Sequence, residues 1–115
     1  MLRKGLDHCL TLYPMSAWNA ESRRVNQLDD MVSRERRFKR MFFLSAEHVK
    51  VDANGRIQMP KKLAAEASID RDVVLIGVGR HYEIWDAVKH AAEMADAGDM
   101  DAMAEEIFGK RSQRA

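Results

Sequence analysis

The chain has 115 residues, room for one small domain with a modest core, and its 32% charged and 46% hydrophobic residues exclude an intrinsically disordered protein. Its longest apolar runs, residues 41–44 and 73–78, are too short to span a bilayer, Leu2-Arg3-Lys4-Gly5-Leu6-Asp7 is too short and polar for a secretory leader, and the single Cys9 excludes an internal disulfide, which points to a reducing cytoplasm. The net charge of +1 hides an asymmetry: residues 1–60 hold 11 Lys/Arg against 7 Asp/Glu, and residues 61–115 hold 8 against 11.

Leu10-Thr11-Leu12-Tyr13 alternates like a strand that Pro14 ends. A helix is expected from about Ser16, with Ser16 as its N-cap and Trp18, Val25, Leu28 and Val32 on one face. After a break near Asp29-Asp30 and Ser33, a second helix is expected to about Phe43, with Phe38, Met41 and Phe42 at i, i+3 and i+4. That helix carries Arg34, Arg36, Arg37, Lys39 and Arg40, a cluster that suits an anionic partner and equally a solvated helix face.

Two short alternating runs then flank Asn54-Gly55, a strong local signal for a tight hairpin. Pro60 is expected as the first residue of a short helix through Ala67. Val73-Val74-Leu75-Ile76 reads as a buried strand, Gly77-Val78-Gly79-Arg80 as a turn, and Tyr82-Glu83-Ile84-Trp85 as the returning strand. Asp86 is a good N-cap for a helix to about Ala97, ended by Gly98. One more acidic helix is expected around residues 103–108, and the last six residues, 110–115, should fray.

A shift of 72 residues aligns the chain with itself: Leu2 falls on Val74, Gly5 on Gly77, Leu10 on Tyr82, Leu12 on Ile84 and Tyr13 on Trp85. The matched glycine and aromatic favour a duplication over chance likeness between two amphipathic hairpins. The first copy's counterpart of Asp52 would then lie upstream of Met1. This predicts either a gene start assigned too late, the favoured reading, or a natural truncation.

The central hairpin is the one candidate site. Asp52-Ala53-Asn54-Gly55 superficially resembles a calcium loop, but Lys50 and Lys61 would occupy its first and twelfth ligand positions, so calcium is excluded. Two readings survive. Asp52 can lock the turn by accepting backbone N–H groups and pairing with Arg56. Alternatively Arg56 and Lys50, flanking the turn, can reach a phosphate or a base edge. The histidines at 8, 48, 81 and 90 lack metal-ligand spacing, and adjacent His8 and Cys9 on a strand would face opposite ways. Gly77-Val78-Gly79 lacks the third glycine and following helix of a dinucleotide site, and neither a nucleophile elbow nor a P-loop occurs. Trp18, Trp85, Tyr13 and Tyr82 read as core residues. No enzyme, cofactor, metal or small-molecule substrate is indicated.

Taken together, these residues resemble the MraZ family of bacterial transcriptional regulators, within the AbrB-like class of swapped-hairpin DNA-binding proteins. The likeness runs over roughly residues 2–95. It is carried by Cys9-Leu10-Thr11-Leu12-Tyr13-Pro14 with Trp18, and by Glu35-Arg36-Arg37-Phe38 with Phe42-Phe43. Asp52-Ala53-Asn54-Gly55-Arg56-Ile57 with Pro60 matches the family's Asp-x-x-x-Arg motif, and Val74-Leu75-Ile76-Gly77 with Glu83-Ile84-Trp85-Asp86 matches its closing hairpin.

The resemblance implies an α+β fold: an AbrB-like swapped-hairpin β-barrel with flanking helices. Residues 1–32 would be the C-terminal remnant of a first repeat, 33–95 a complete second repeat, and 96–115 a tail. It also implies a cytoplasmic, nucleoid-associated repressor of the division and cell-wall gene cluster. Such a regulator binds direct repeats in promoter DNA as a ring-shaped homo-oligomer, with no membrane partner. Arg56 would face the DNA and Asp52 would position it; Lys50 and Asn54 are added from geometry. The competing reading is an oligomerising protein or inactive fragment whose Asp52 and Arg56 only lock the hairpin. An AbrB-like antitoxin held by a toxin through its tail is a third reading, disfavoured by the two-repeat design.

Overall fold

The computed structural model describes residues 1–109. Two hairpins and five helices follow one another: β1 (Leu2–Lys4), β2 (Leu10–Leu12), α1 (Met15–Asn26), α2 (Ser33–Leu44), α3 (Lys61–Glu66), β3 (Val73–Gly77), β4 (Tyr82–Asp86), α4 (Ala87–Asp96) and α5 (Met100–Ala104), the last running into a π-helical turn at Glu105–Gly109. The strands form one open antiparallel sheet in the order β1-β2-β4-β3. The described architecture is therefore mixed helix and sheet.

The centre of the sheet is where the two hairpins meet. Leu10 pairs with Ile84, Thr11 with Glu83 and Leu12 with Tyr82. Thr11 thus faces the residue 72 positions along, and Leu10 and Leu12 face each other's 72-shifted counterparts. This is the pairing of a local two-fold axis between Thr11 and Glu83. The helices keep the same offset, since α1 starts at Met15 and α4 at Ala87. The outer pairings differ by one residue: Leu2 lies opposite Leu12, but Val74 lies opposite Trp85. The connecting turns explain the slip. Residues 5–9 join the first hairpin, with Asp7 and His8 in the left-handed region, while the shorter segment 78–81 joins the second, with Gly79 at φ 103°. Gly5 is required in the first turn, because a Cβ there would sit 2.5 Å from Thr11 Oγ1.

Two apolar clusters hold the elements. Leu2, Leu10 and Ile84 from the sheet pack with Leu63 and Ala67 of the α3 segment. Tyr13, Trp18, Val25 and Phe42 join the end of β2 to α1 and α2. Within this second cluster the Trp18 and Phe42 rings stack at 5.3 Å with 2° between their planes, and Phe43 meets both edge-on. The Arg3 guanidinium lies 4.5 Å from the Phe42 ring centre and donates to the Tyr13 hydroxyl at 3.1 Å, tying β1 to the same cluster. Each aliphatic side chain buried in these clusters contributes roughly 1.5–3 kcal/mol over leaving it in water.

Asp86 caps α4 as expected, its carboxylate accepting the Lys89 N–H, and Gly98 takes φ 84° just beyond the helix. Several expectations are corrected. Pro14, not Ser16, is the N-cap of α1, because extended backbone at φ −55°, ψ 149° already precedes a helix that starts at Met15. Pro60 is likewise the N-cap of α3 rather than its first residue. Residues 73–76 are not buried: β3 is an edge strand with Val73 47% and Leu75 58% exposed. Tyr82 is also exposed, whereas Tyr13, Trp18 and Trp85 are core residues as expected. In α2 only Phe42 is buried, and Phe38 and Met41 face solvent. Residues 110–115, expected to fray, lie outside the described residues.

Candidate nucleic-acid interface

Residues 47–60 leave α2 and return to α3 as a loop rooted on the sheet. Glu47 anchors the outgoing arm on β1: its carbonyl accepts the Leu2 N–H at 2.8 Å and its N–H donates to the Leu2 carbonyl at 2.7 Å. Val49, Ile57 and Met59 turn inward against the Leu2–Leu10–Leu63 cluster. Lys50 and Gln58 face outward, and every residue from 51 to 56 is exposed. The alternation of apolar and polar residues along the arms therefore seats the base of the loop and projects its tip.

The tip is closed by Asp52 and Arg56. The Asp52 N–H donates to the Arg56 carbonyl at 2.8 Å, and the Asp52 carbonyl accepts the Gly55 N–H at 3.0 Å. The connection is thus a three-residue loop, Ala53-Asn54-Gly55, with Gly55 at φ 77°. A tight turn at Asn54-Gly55, as expected, is present. The arms are extended but form no strands, because a lone two-stranded ribbon without a third strand alongside it gains little from a ladder.

The Asp52 carboxylate is the lock. Its Oδ1 accepts the Asn54 N–H at 2.9 Å and the Arg56 N–H at 2.8 Å. The sequence reading of a carboxylate accepting N–H groups across the turn matches this geometry; an Asp52–Arg56 ion pair is not formed. Arg56 and Lys50 are exposed, and neither side chain makes a hydrogen bond or ion pair with any described residue. Asn54 sits exposed at the apex between them in sequence. Below the tip, a groove of about 560 Å³ opens between the arms, lined by His48, Lys50, Gln58 and Lys61 among others. The arrangement presents the exposed cations Lys50 and Arg56 on a loop closed by Asp52, a geometry suited to an anionic, grooved partner.

Among the described residues, no group of three or more His, Cys, Asp or Glu could hold a metal ion. Cys9 is buried in the β1–β2 turn, with its Sγ donating to the Leu6 carbonyl at 3.2 Å. Burial, then the nearby charges of Glu83 and Asp7, push its thiol up to about 11. No helix among the described residues is long and apolar enough to cross a membrane. Sequence reasoning did not find Glu47 or Arg3. Glu47 acts through its backbone and leaves no signal, while Arg3 sits one residue inside a strand and is recognisable only once Tyr13 and Phe42 are placed.

The family model described as "MraZ protein, putative antitoxin-like" matches residues 42–107, a stretch that contains the whole projecting loop. The chain belongs to the MraZ family. It is 38% identical over 105 residues to a Transcriptional regulator MraZ of Limosilactobacillus fermentum, covering 90% of this chain and 73% of that one. The protein of the same name from Thermomicrobium roseum is 39% identical over 93 residues, covering 81% of this chain and 66% of that relative. That of Clostridium acetobutylicum is 36% identical over 107 residues, covering 93% and 75%. In this MraZ chain the matched residues include Asp52 and Arg56, whose backbone hydrogen bond closes the loop.

Proposed function

We propose that this protein is a transcriptional regulator, not an enzyme, and that it represses the division and cell-wall gene cluster by binding direct repeats in promoter DNA as a ring-shaped oligomer. It acts in the cytoplasm, associated with the nucleoid. One observation carries the reading: Arg56 stands exposed and unpaired among the described residues on a tip locked by Asp52. The name of its relatives, transcriptional regulator, supports it. Arg56 reads a base edge or phosphate, Asp52 positions it, and Lys50 and Asn54 add contacts beside it.

One arginine per subunit discriminates by only about 1–3 kcal/mol, so affinity rests on several subunits engaging several repeats at once. Fluorescence anisotropy on DNA carrying the promoter repeats, with and without the Arg56→Ala change, tests this. Binding by the parent that falls steeply with salt, and is lost in Arg56→Ala with assembly intact, is the expected result. No binding by the parent at low salt would leave the alternative, an oligomerising protein or inactive fragment in which the turn is only structural.

We propose further that the fold is a swapped-hairpin barrel in which residues 1–32 end a first repeat, residues 33–95 form a complete second one and residues 96–115 form a tail. The two-fold pairing of β2 with β4 supports it. So does the contrast between the β1 edge, bridged by Glu47, and the edge of β3, which no described residue bridges. Under that symmetry the β3 edge is where a first-repeat loop would bind. Translating the upstream DNA in frame tests this; finding no Asp-x-x-x-Arg there would sink it.

A further inference from the structure

We infer that the acidic helical segment at residues 99–108 of one chain docks in the apolar groove beside α2 of a second copy. The inference rests on the oligomer proposed above and names the contact that builds it.

The groove has a volume of about 420 Å³ and lies between the β1–β2 turn, α2 and α3. Leu6, Phe38, Met41 and Leu44 supply its apolar lining and are 73%, 49%, 64% and 74% exposed. Lys4 and Lys62 stand at its rim with Arg3, against one carboxylate, Glu66. Arg37 and Arg40, four residues before the groove-lining Met41 and Leu44 and so beside them on the α2 surface, are exposed, and their guanidinium groups have no partner among the described residues. Their neighbours differ, since Arg36 donates to the Asp30 carbonyl and Lys39 pairs with the Asp30 carboxylate at 3.0 Å. The face is therefore apolar in the middle and positive around it.

The C-terminal segment has the complementary design. Residues 90–109 contain six carboxylates and no Lys or Arg. Every residue from 98 to 108 is exposed. Asp99 caps α5 by accepting the Asp101 N–H at 3.1 Å, so the helix is started by its own side chain. Met100 and Met103, at i and i+3, share one face of α5, Ile107 follows in the π-helical turn, and Asp99, Asp101, Glu105 and Glu106 supply negative charge. Both surfaces are exposed in the same chain, so the segment is not seated in its own groove. Duplex DNA could meet the cations but has nothing to cover Phe38, Met41 and Leu44; an acidic amphipathic helix meets both.

The test uses two full-length chains of different tag mass, one carrying Met41→Cys and the other Met103→Cys, each with Cys9→Ala. Mixed and mildly oxidised, they should form a disulfide-linked heterodimer several-fold more abundant than either homodimer. Arg37→Glu with Arg40→Glu in the first chain should cut that yield at least tenfold. A second pair, Leu44→Cys with Ile107→Cys, guards against misfolding of the first. Absence of cross-linking in both pairs, with sedimentation still showing an oligomer, overturns this contact and leaves the oligomer standing. A disulfide confined to a single chain carrying both cysteines also overturns it. A monomer at every concentration overturns both this contact and the oligomer.

Discussion

Asp52 Oδ1 accepts the backbone N–H of Arg56 at 2.8 Å, while the two side chains form no ion pair. The acid shapes the backbone on which the base stands and leaves the base free. Acceptor geometry, not negative charge, is then what position 52 requires. Asp52→Asn should keep the turn and DNA binding, because an amide oxygen can accept the same N–H groups. Asp52→Ala should remove two hydrogen bonds worth about 1 kcal/mol each at most and weaken DNA binding as well. Arg56→Ala should abolish operator binding yet shift stability by no more than about 0.5 kcal/mol, as for other exposed positions. Thermal melts and anisotropy on the three variants separate these effects. Equal loss of stability in Arg56→Ala and Asp52→Ala would contradict the division of roles.

Trp18 stacks flat on Phe42 and ties α1 to α2. Trp18→Ala should cost about 3–5 kcal/mol, a large share of a small domain's stability. Trp18→Phe should recover much of it by keeping a ring in the stack. Chemical denaturation of the two variants against the parent measures both. A loss below about 1 kcal/mol for the alanine variant would mean that this cluster does not hold the helices together.

The Cys9 thiol, raised to about 11 by burial and by Glu83 and Asp7, should resist alkylation at pH 8 until the chain unfolds. The sign of its pH effect follows. Between the unfolded value near 9 and the folded value, the native state holds the proton that the unfolded state has lost. Stability contributed by this group is therefore complete below pH 9 and declines as pH rises toward 11. Cys9→Ala should flatten that alkaline decline in melts recorded from pH 8 to 11. An unchanged slope would place its cause elsewhere.

Asp86 accepts N–H groups from Asp70 and Lys89, and these hydrogen bonds, Asp70's first, hold its carboxyl below the usual carboxylate value. Its stabilising effect is present above the unfolded value of about 4 and is lost as pH falls through the lower folded value. Asp86→Ala should lower the melting temperature at pH 7 and have a shrinking effect below pH 4. Asp86→Asn should be milder at pH 7, since its oxygen still caps α4. An alanine penalty that is constant from pH 7 to pH 3 would rule out the ionised cap.

Features governed by neighbouring residues were legible in the sequence: the Asp86 cap, the Gly98 stop, the paired strands at 73–77 and 82–86, and the Asp52 lock. Features that depend on a distant partner were not. Residues 73–76 are as apolar as a central strand, yet no strand among the described residues pairs with their outer edge. Phe38 and Met41 share a helical face with Phe42, but only Phe42 meets Trp18. The residues flanking Asn54-Gly55 have a hairpin pattern and the tight turn is present, but the arms form no strands. The family membership was readable from four stretches between Cys9 and Asp86, of which Asp52 through Pro60 also marked the loop.

The outer edge of β3 has a practical consequence. Its backbone groups, which pair with no strand among the described residues, and exposed Val73 and Leu75 form a template on which another strand can add. Freshly made chains therefore face a race, decided by concentration, between correct assembly and edge-to-edge clumping. Overproduction at high temperature should tip it toward inclusion bodies, and a lysine placed at position 75 should tip it back.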